Sequence, residues 1–250
     1  MTIRTRVAAL GLAGLLAAMP AMSGASAAGL TAEQRAEIIA IMRNALQKDP
    51  SILRDAIEAL RADENQREQA SSRAAIAQMR DKLIDANDHV AGNPKGDVTI
   101  VEFFDVRCGY CKRLEPTMAQ LLAQDKNIRL VYKDLPVLGP ASVLGARAVM
   151  AARKQNAYEK MREALMHGSP NITMASLEAQ AKTLNLDWER LKRDMDDPAI
   201  KAQIDSNLAL AHALGIQGTP AMVIGSELIP GAVGLEELKQ AVDEVRSKKS

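Results

Sequence analysis

The sequence predicts an α/β fold: a βαβ unit, a long helical insertion and a return to sheet, preceded by a separate helical segment. Three observations carry that reading. Residues 98–104, Val-Thr-Ile-Val-Glu-Phe-Phe, are rich in β-branched and aromatic side chains and read as a buried strand. Helical period follows at once, with Leu114, Met118, Leu121 and Leu122 on one face, and residues 128–133 read as a second strand. Residues 139 to about 214 then hold helical period throughout, before residues 221–224 revert to strand.

At the head of the chain, residues 2–27 contain Arg4 and Arg6 but no acid, then an apolar stretch over 7–22 and the small-residue end Ala25-Ser26-Ala27. This is the pattern of a signal peptide. The apolar run is short for a membrane span and ends in an A-x-A site, so cleavage after Ala27 is expected, an uncleaved anchor being the alternative. Cleavage removes two positive charges from a formal net charge of +1, which leaves no basic excess for nucleic acid or an anionic membrane. Export also puts the chain where disulfide chemistry persists. The 250 residues, 47% hydrophobic, suffice for one substantial core plus an appendage. Asn171-Ile172-Thr173 matches a glycosylation sequon, a pattern common by chance.

Residues 28–88 form the first unit. Thr31 to Gln34 makes a capping box, after which Ile38, Ile39, Met42 and Leu46 recur at helical spacing. Asp49-Pro50-Ser51 breaks that helix, and a second short one follows with Leu53, Ile57 and Leu60. Residues 61–73 tolerate helix but offer almost nothing to bury, so they read as a polar stalk or hinge. Apolar period returns at Ile76, Met79 and Leu83 and ends around Asn87, Asp88 and Gly92-Asn93-Pro94. Two short amphipathic helices cannot bury their stripes alone. Either they fold back on the rest of the chain, or identical stripes on identical chains associate.

Residues 89–250 form the second unit. Its first strand, helix and second strand are in an order that permits a right-handed crossover and a parallel pair. Glu102 is the odd residue, a carboxylate within an apolar strand; an exposed side of an edge strand would account for it. The inserted region reads as helices over 141–153, 157–167, 174–184, 187–195 and 199–214, separated by Gly168-Ser169-Pro170, Asn185 and Asp197-Pro198. Met150, Met161, Met166 and Trp188 read as core, although methionine also adapts to substrate surfaces. No ionisable cluster in the insertion suggests a second active site. After residues 221–224, Gly225-Ser226-Glu227 reads as a turn, residues 228–231 as an edge strand and residues 235–246 as a closing amphipathic helix.

The chemistry is concentrated at Cys108-Gly109-Tyr110-Cys111, the only cysteines in the chain. They stand where a strand ends and a helix begins, so the first sulfur meets backbone N–H groups that lack intrahelical partners. That position, together with Arg107, Lys112 and Arg113, is expected to lower the Cys108 pKa below its free value of about 8.5. The bland alternative is an inert structural disulfide, yet a bridge closing so short a loop restricts the unfolded chain little. A structural zinc site needs four ligands, and His89, His167 and His212 are scattered singly, so no metal or other cofactor is expected.

Glu-Phe-Phe-x-x-x-Cys-x-x-Cys from Glu102 to Cys111, with Gly218-Thr219-Pro220 far downstream, resembles the thioredoxin superfamily, and within it the DsbA-like thiol-disulfide oxidoreductases of the periplasm. The resemblance covers about residues 90–250, and residues 28–88 resemble the extension of ScsC-type members. It implies a thioredoxin fold interrupted by a helical domain, with a cis-proline loop at Thr219 and Pro220 facing the cysteines. It implies Cys108 as nucleophile, Cys111 as resolving thiol and Glu102 as the buried acid that takes the proton of Cys111, its pKa raised by burial. Gly109, Tyr110, Thr219 and Pro220 then contact substrate, Thr219 through its backbone. Gly109-Tyr110 and the threonine before Pro220 look like DsbC-type isomerases, whereas strongly oxidising DsbA-type enzymes carry Pro-His and valine there.

The expected function is therefore a periplasmic disulfide isomerase or reductase. Its partners would be disulfide-containing envelope proteins and a membrane thiol reductase as electron donor, and the resemblance implies a homotrimer. The alternatives are a monomeric DsbA-type dithiol oxidase and a copper-binding envelope protein using the same two sulfurs, since ScsC relatives are associated with copper tolerance.

Overall fold

The computed structural model describes residues 30–248, and the signal peptide expected over 1–27 lies outside them. The described residues form two compact units, divided between Ala59 and Leu60. In the first, Thr31 caps α1 (Ala32–Lys48) through a complete capping box: its hydroxyl accepts from the Gln34 N–H while the Gln34 side chain accepts from the Thr31 N–H. No residue of α1 is buried. Asp49 ends the helix, and its carboxylate accepts from the Ser51 N–H at 3.0 Å where α2 (Ser51–Gln78) begins.

The second helix is not short. It runs for 28 residues, and the polar stretch 61–73 lies wholly inside it. Ala, Arg, Glu and Gln dominate that stretch and have good intrinsic helix propensity, which sustains helix where nothing is buried.

Among the described residues the sheet has five strands, β1 (His89–Gly92), β2 (Val98–Phe104), β3 (Ile128–Asp134), β4 (Ala221–Ile224) and β5 (Glu227–Pro230), in the order β1-β3-β2-β4-β5. Only β2 and β3 are parallel; the other pairings are antiparallel. The connection from β2 to β3 is α3 (Gly109–Gln124). Between β3 and β4 lie α4 (Pro140–Ala152), α5 (Tyr158–His167), α6 (Met174–Thr183), α7 (Trp188–Met195) and α8 (Pro198–Ala213), and α9 (Leu235–Ser247) closes the chain. The sequence missed β1, a four-residue strand with no apolar alternation that its pairing with β3 creates.

Alternation along β2 divides the core. Val98, Ile100 and Phe104 pack with Leu114, Met118 and Leu121 of α3 and with the inserted helices. Val101 and Phe103 face the opposite way, with Ile76, Leu83, Leu210 and Leu214. Glu102 thus belongs to the α3 face, and it is buried on a central strand, not exposed on an edge. Gly145 brings α4 close to the turn that follows β2: a Cβ there would stand 2.7 Å from Val106 Cγ2 and 2.8 Å from Ile172 Cδ1.

Candidate active site

The turn between β2 and α3 is held by Asp105. One oxygen of its buried carboxylate accepts from the Arg107 N–H at 2.8 Å; the other accepts from the N–H groups of Val137 and Leu138 at 2.9 and 3.1 Å. Its carbonyl accepts from the Cys108 N–H at 2.9 Å. This carboxylate satisfies amides that the turn would otherwise bury unpaired, a role the sequence reading did not see. Aspartate one residue beyond a strand that runs into a helix was the available signal.

Cys108 is the N-cap of α3 and its carbonyl accepts from the Lys112 N–H, so its sulfur meets the free amides of the first turn. Thr219 approaches from the other side. The Thr219–Pro220 bond is cis, and the Cys108 thiol donates to the Thr219 carbonyl at 3.1 Å. Both cysteines are free and buried, Cys111 more deeply than Cys108.

The two thiols titrate in opposite directions. A hydrogen bond from the Cys111 thiol is the largest influence on Cys108; the Thr219 side chain and the Cys111 and Tyr110 amides add to it against partial burial, and the pKa falls to about 5. The Thr219 carbonyl contact belongs to the thiol form alone, since a thiolate has no proton to donate. The same sulfur–sulfur bond, reinforced by burial, pushes Cys111 far up. The flanking cations contribute in a different way from that expected. The Arg107 guanidinium donates to the carbonyls of Pro170 and Leu138 at 2.7 and 2.5 Å, and that of Arg113 lies 3.9 Å over the Tyr110 ring. Sulfur and amide hydrogen bonds do the work assigned to them. Gly109 and Tyr110 are exposed beside Cys108.

Glu102 lies two positions before Phe104 on the strand leading to the turn, in register with Tyr132 on β3 and Met222 on β4. Burial is the largest influence on it and raises its pKa to about 7, against the opposing pull of Arg162; the Glu115 carboxylate pushes the same way as burial. The structure thus brings all seven predicted residues to one end of the sheet or beneath it. It adds residues the sequence reading passed over. Arg162, in an insertion read as free of ionisable clusters, is buried and pairs with Glu115 at 2.8 Å. Asp134, at the end of β3, accepts from the buried Tyr158 hydroxyl at 2.7 Å, and burial raises its pKa to about 7. Among the described residues no three His, Cys, Asp or Glu side chains gather into a group that could hold a metal, and no helix is long and apolar enough to cross a membrane.

Residues 99–243 match the family model of the DSBA-like thioredoxin domain. A thioredoxin-like oxidoreductase from Silicibacter pomeroyi has a similar solved structure, with 43% identity, TM-score 0.63, and coverage of 67% of this chain and 96% of that one. A linker-deletion variant of Proteus mirabilis ScsC is 31% identical with TM-score 0.65, over 89% of this chain and all of that one, 100%. Among curated proteins, the Na(+)/H(+) antiporter NhaA 3 of Salinispora tropica is 30% identical over 157 residues, 62% of this chain but 24% of the antiporter. The chain spans about a quarter of the length of the first curated relatives it matches.

Proposed function

The chain belongs to the DsbA-like thioredoxin family, and from that premise we propose that it is a periplasmic thiol-disulfide oxidoreductase working as a disulfide isomerase or reductase. The observation that carries the reading is the split between the two sulfurs: Cys108 is held as a thiolate near neutral pH while Cys111, one helical turn on, is kept protonated. One nucleophile and one protonated reserve are what a two-step exchange requires.

In the first step the Cys108 thiolate attacks a substrate disulfide. A Cys108–substrate bond forms, the substrate S–S bond breaks, and one substrate sulfur leaves as thiolate. Cys111 then gives its proton to Glu102 and attacks Cys108 Sγ; the internal disulfide forms and the second substrate sulfur leaves as thiolate. The substrate has gained two electrons and the protein has lost two. If a substrate thiolate attacks the mixed disulfide first, Cys108 is released reduced and the substrate is isomerised.

Substrate polypeptide is proposed to lie against Gly109, Tyr110, Thr219 and Pro220. A groove of about 800 Å³ beside the last two, bounded by β5 and the far end of α2, gives an extended chain room. The proposed partners are disulfide-containing envelope proteins and a membrane thiol reductase that returns electrons, and the proposed assembly is a homotrimer through α1. The depressed Cys108 pKa favours the reduced protein, which is the one observation on the side of a dithiol oxidase.

Insulin reduction by wild type and Cys108→Ser tests the reading, alongside thiolate absorbance against pH. The wild type should turn over with one thiol titrating near 5, and Cys108→Ser should do neither. Turnover surviving in the variant, or both thiols titrating together near the free value of about 8.5, overturns it. Because folding depresses the Cys108 pKa from 9.0, the thiolate stabilises the reduced fold fully above pH 9, and that contribution is lost as pH falls toward 5. Glu102 and Asp134, raised from 4.5 and 3.8, weaken the fold as pH climbs to about 7, but in both redox states alike. The excess stability of reduced over oxidised protein should therefore grow from pH 5 to pH 9.

A further inference from the structure

From Leu60 onward α2 belongs to the second unit, and one face of it passes through two kinds of surroundings. Ile76 is buried, and Ala75 and Met79 pack beside it against the core that holds Val101 and Val223. Counting back along that face at helical spacing gives Ser72, Gln69, Glu68 and Asn65. These line the groove of about 800 Å³ beside Thr219 and Pro220, whose apolar lining includes Leu214, Ile216 and Leu228. Asn65, Glu68 and Gln69 are exposed and Ser72 is half-buried. Apolar residues at these positions would draw the helix onto the domain, as Ile76 does one turn on; polar ones resist burial without partners and leave a gap. Arg73 ties α2 to the start of β5, bonding Glu227 at 3.0 Å. The polar stretch of α2 is thus turned toward the cis-proline loop, a direction from which a stalk that only crossed solvent gains nothing.

We propose that this face of α2 is a further wall of the substrate site, and that Glu68 is a specificity-determining residue selecting polypeptides with lysine or arginine close to the cysteine attacked. This rests on the substrate position given above. A chain whose sulfur meets Cys108 passes the Thr219 carbonyl, 3.1 Å from the Cys108 sulfur, and enters the groove. From Asn65 to Ser72 the helix rises about 10.5 Å, the span of about three residues of extended chain. The side-chain amides of Asn65 and Gln69 and the Ser72 hydroxyl offer both donors and acceptors, which suits a polypeptide backbone of any sequence.

Charge is where this wall becomes selective. Glu68 is the one charged residue of the stripe, and among the described residues no ion pair engages it. Glu227, at the groove's end, is instead taken by Arg73 and Lys248 at 3.0 and 3.7 Å. The third titratable side chain of the lining is His212 of α8. A cation entering the groove therefore meets an uncompensated carboxylate that attracts it, and an anion is repelled by the same group.

The test uses the reduced full chain and peptides whose single cysteine is bonded to an aromatic thiol. Cys108 attacks the peptide sulfur, a Cys108–peptide disulfide forms, and the coloured thiolate leaves with the electron pair of the broken bond. Peptides with three lysines or three glutamates beside the cysteine are compared. The readout is the lysine-to-glutamate rate ratio, from which any change in Cys108 reactivity divides out. At low salt the ratio should fall about fivefold from wild type to Glu68→Gln, fall further with Glu68→Lys, and keep most of its value with Glu68→Asp. The difference between wild type and Glu68→Gln should fade as salt rises. Glu178→Gln on α6, which removes the same charge outside the groove, should leave the ratio at its wild-type value. A ratio unmoved by Glu68→Gln, or moved as far by Glu178→Gln, overturns the proposal.

A second measurement tells that failure from failure of the substrate position. Cys111→Ser traps the mixed disulfide on Cys108, and a photoreactive residue three positions from the peptide cysteine marks its neighbours. Crosslinks within residues 65–72 support the proposal. Crosslinks to residues 212–220 or 227–231 with none in α2 overturn it and leave the substrate beside Thr219. A trapped disulfide that crosslinks to neither removes that substrate position, and the proposal with it.

Discussion

Helices α1 and α9 are both amphipathic, both built on apolar residues three and four apart, and they meet opposite fates. In α9, Leu238 and Val242 are buried against β2, β4 and α3, and Arg246 fastens the last turn to Asp97 and Asp125 at 2.8 and 2.7 Å. In α1, the longer and better capped of the two, Ile39, Ile41 and Met42 are all more than half exposed and nothing is buried. A stripe in the sequence says that a face exists and wants covering; it does not say what covers it. Each such side chain gains about 1.5–3 kcal/mol on full burial, and with Ile38 and Leu46 the helix leaves five of them exposed. Under the function proposed above, what covers them is the same helix in other copies of the chain.

The strongest way to break this comparison is to remove one side of it. Ile76 and Leu83 belong to the core of the second unit, so a truncation must stop short of them. Deletion of residues 30–59 should yield a monomer that still reduces insulin but loses most of its capacity to refold a scrambled multi-disulfide protein, since one mobile substrate is then met by one site instead of several. Light scattering gives the mass and recovery of scrambled ribonuclease gives the activity. A full-length protein that is already monomeric, or a truncated one that isomerises equally well, would hand the chain to the dithiol-oxidase reading.

A second test keeps the chain intact and sets the two helices against each other. Leu238→Ala removes a fully buried side chain and should cost about 2–5 kcal/mol in denaturant unfolding of the second unit. Ile41→Ala should leave that transition within about 0.5 kcal/mol and weaken association instead. Equal losses in the same transition would mean that α1 is covered by the second unit of its own chain.

What was legible in the sequence followed the same line. Where periodicity is answered inside the chain, it was read correctly: β2 and β4 to the residue, the five inserted helices to within a residue or two at each end. Strand β1 escaped because His89–Gly92 has no pattern of its own and exists through its ladder to β3. Residues 61–73 read as a polar stalk or hinge because they bury nothing, whereas helix propensity alone carries α2 through them. At the site, the two cysteines, Glu102, Thr219 and Pro220 were visible as motif. Asp105, Arg162, Glu115 and Asp134 were not. Arg162 looks like any polar position of an amphipathic helix, and only the packing of α5 over Tyr132 turns it inward. Burial of charge is a property of tertiary contacts, and spacing in the chain does not encode it.

The smallest effect expected is the most diagnostic of where the stability of α1 is used. Thr31 closes the capping box of a helix with no buried residue, so its hydroxyl holds the Gln34 N–H at 3.2 Å without any help from a core. Thr31→Ala should cost the helix about 1 kcal/mol. If α1 is stable only in association, that loss cannot appear in the melting of the second unit, whose contacts it does not touch. It should appear as about fivefold weaker self-association per copy of the chain, read by sedimentation over a dilution series, with the unfolding transition of the second unit unmoved. Thr31→Ser, which keeps the acceptor oxygen, should restore association. A melting temperature of the second unit that fell with Thr31→Ala, at unchanged mass, would break the distinction between α1 and α9.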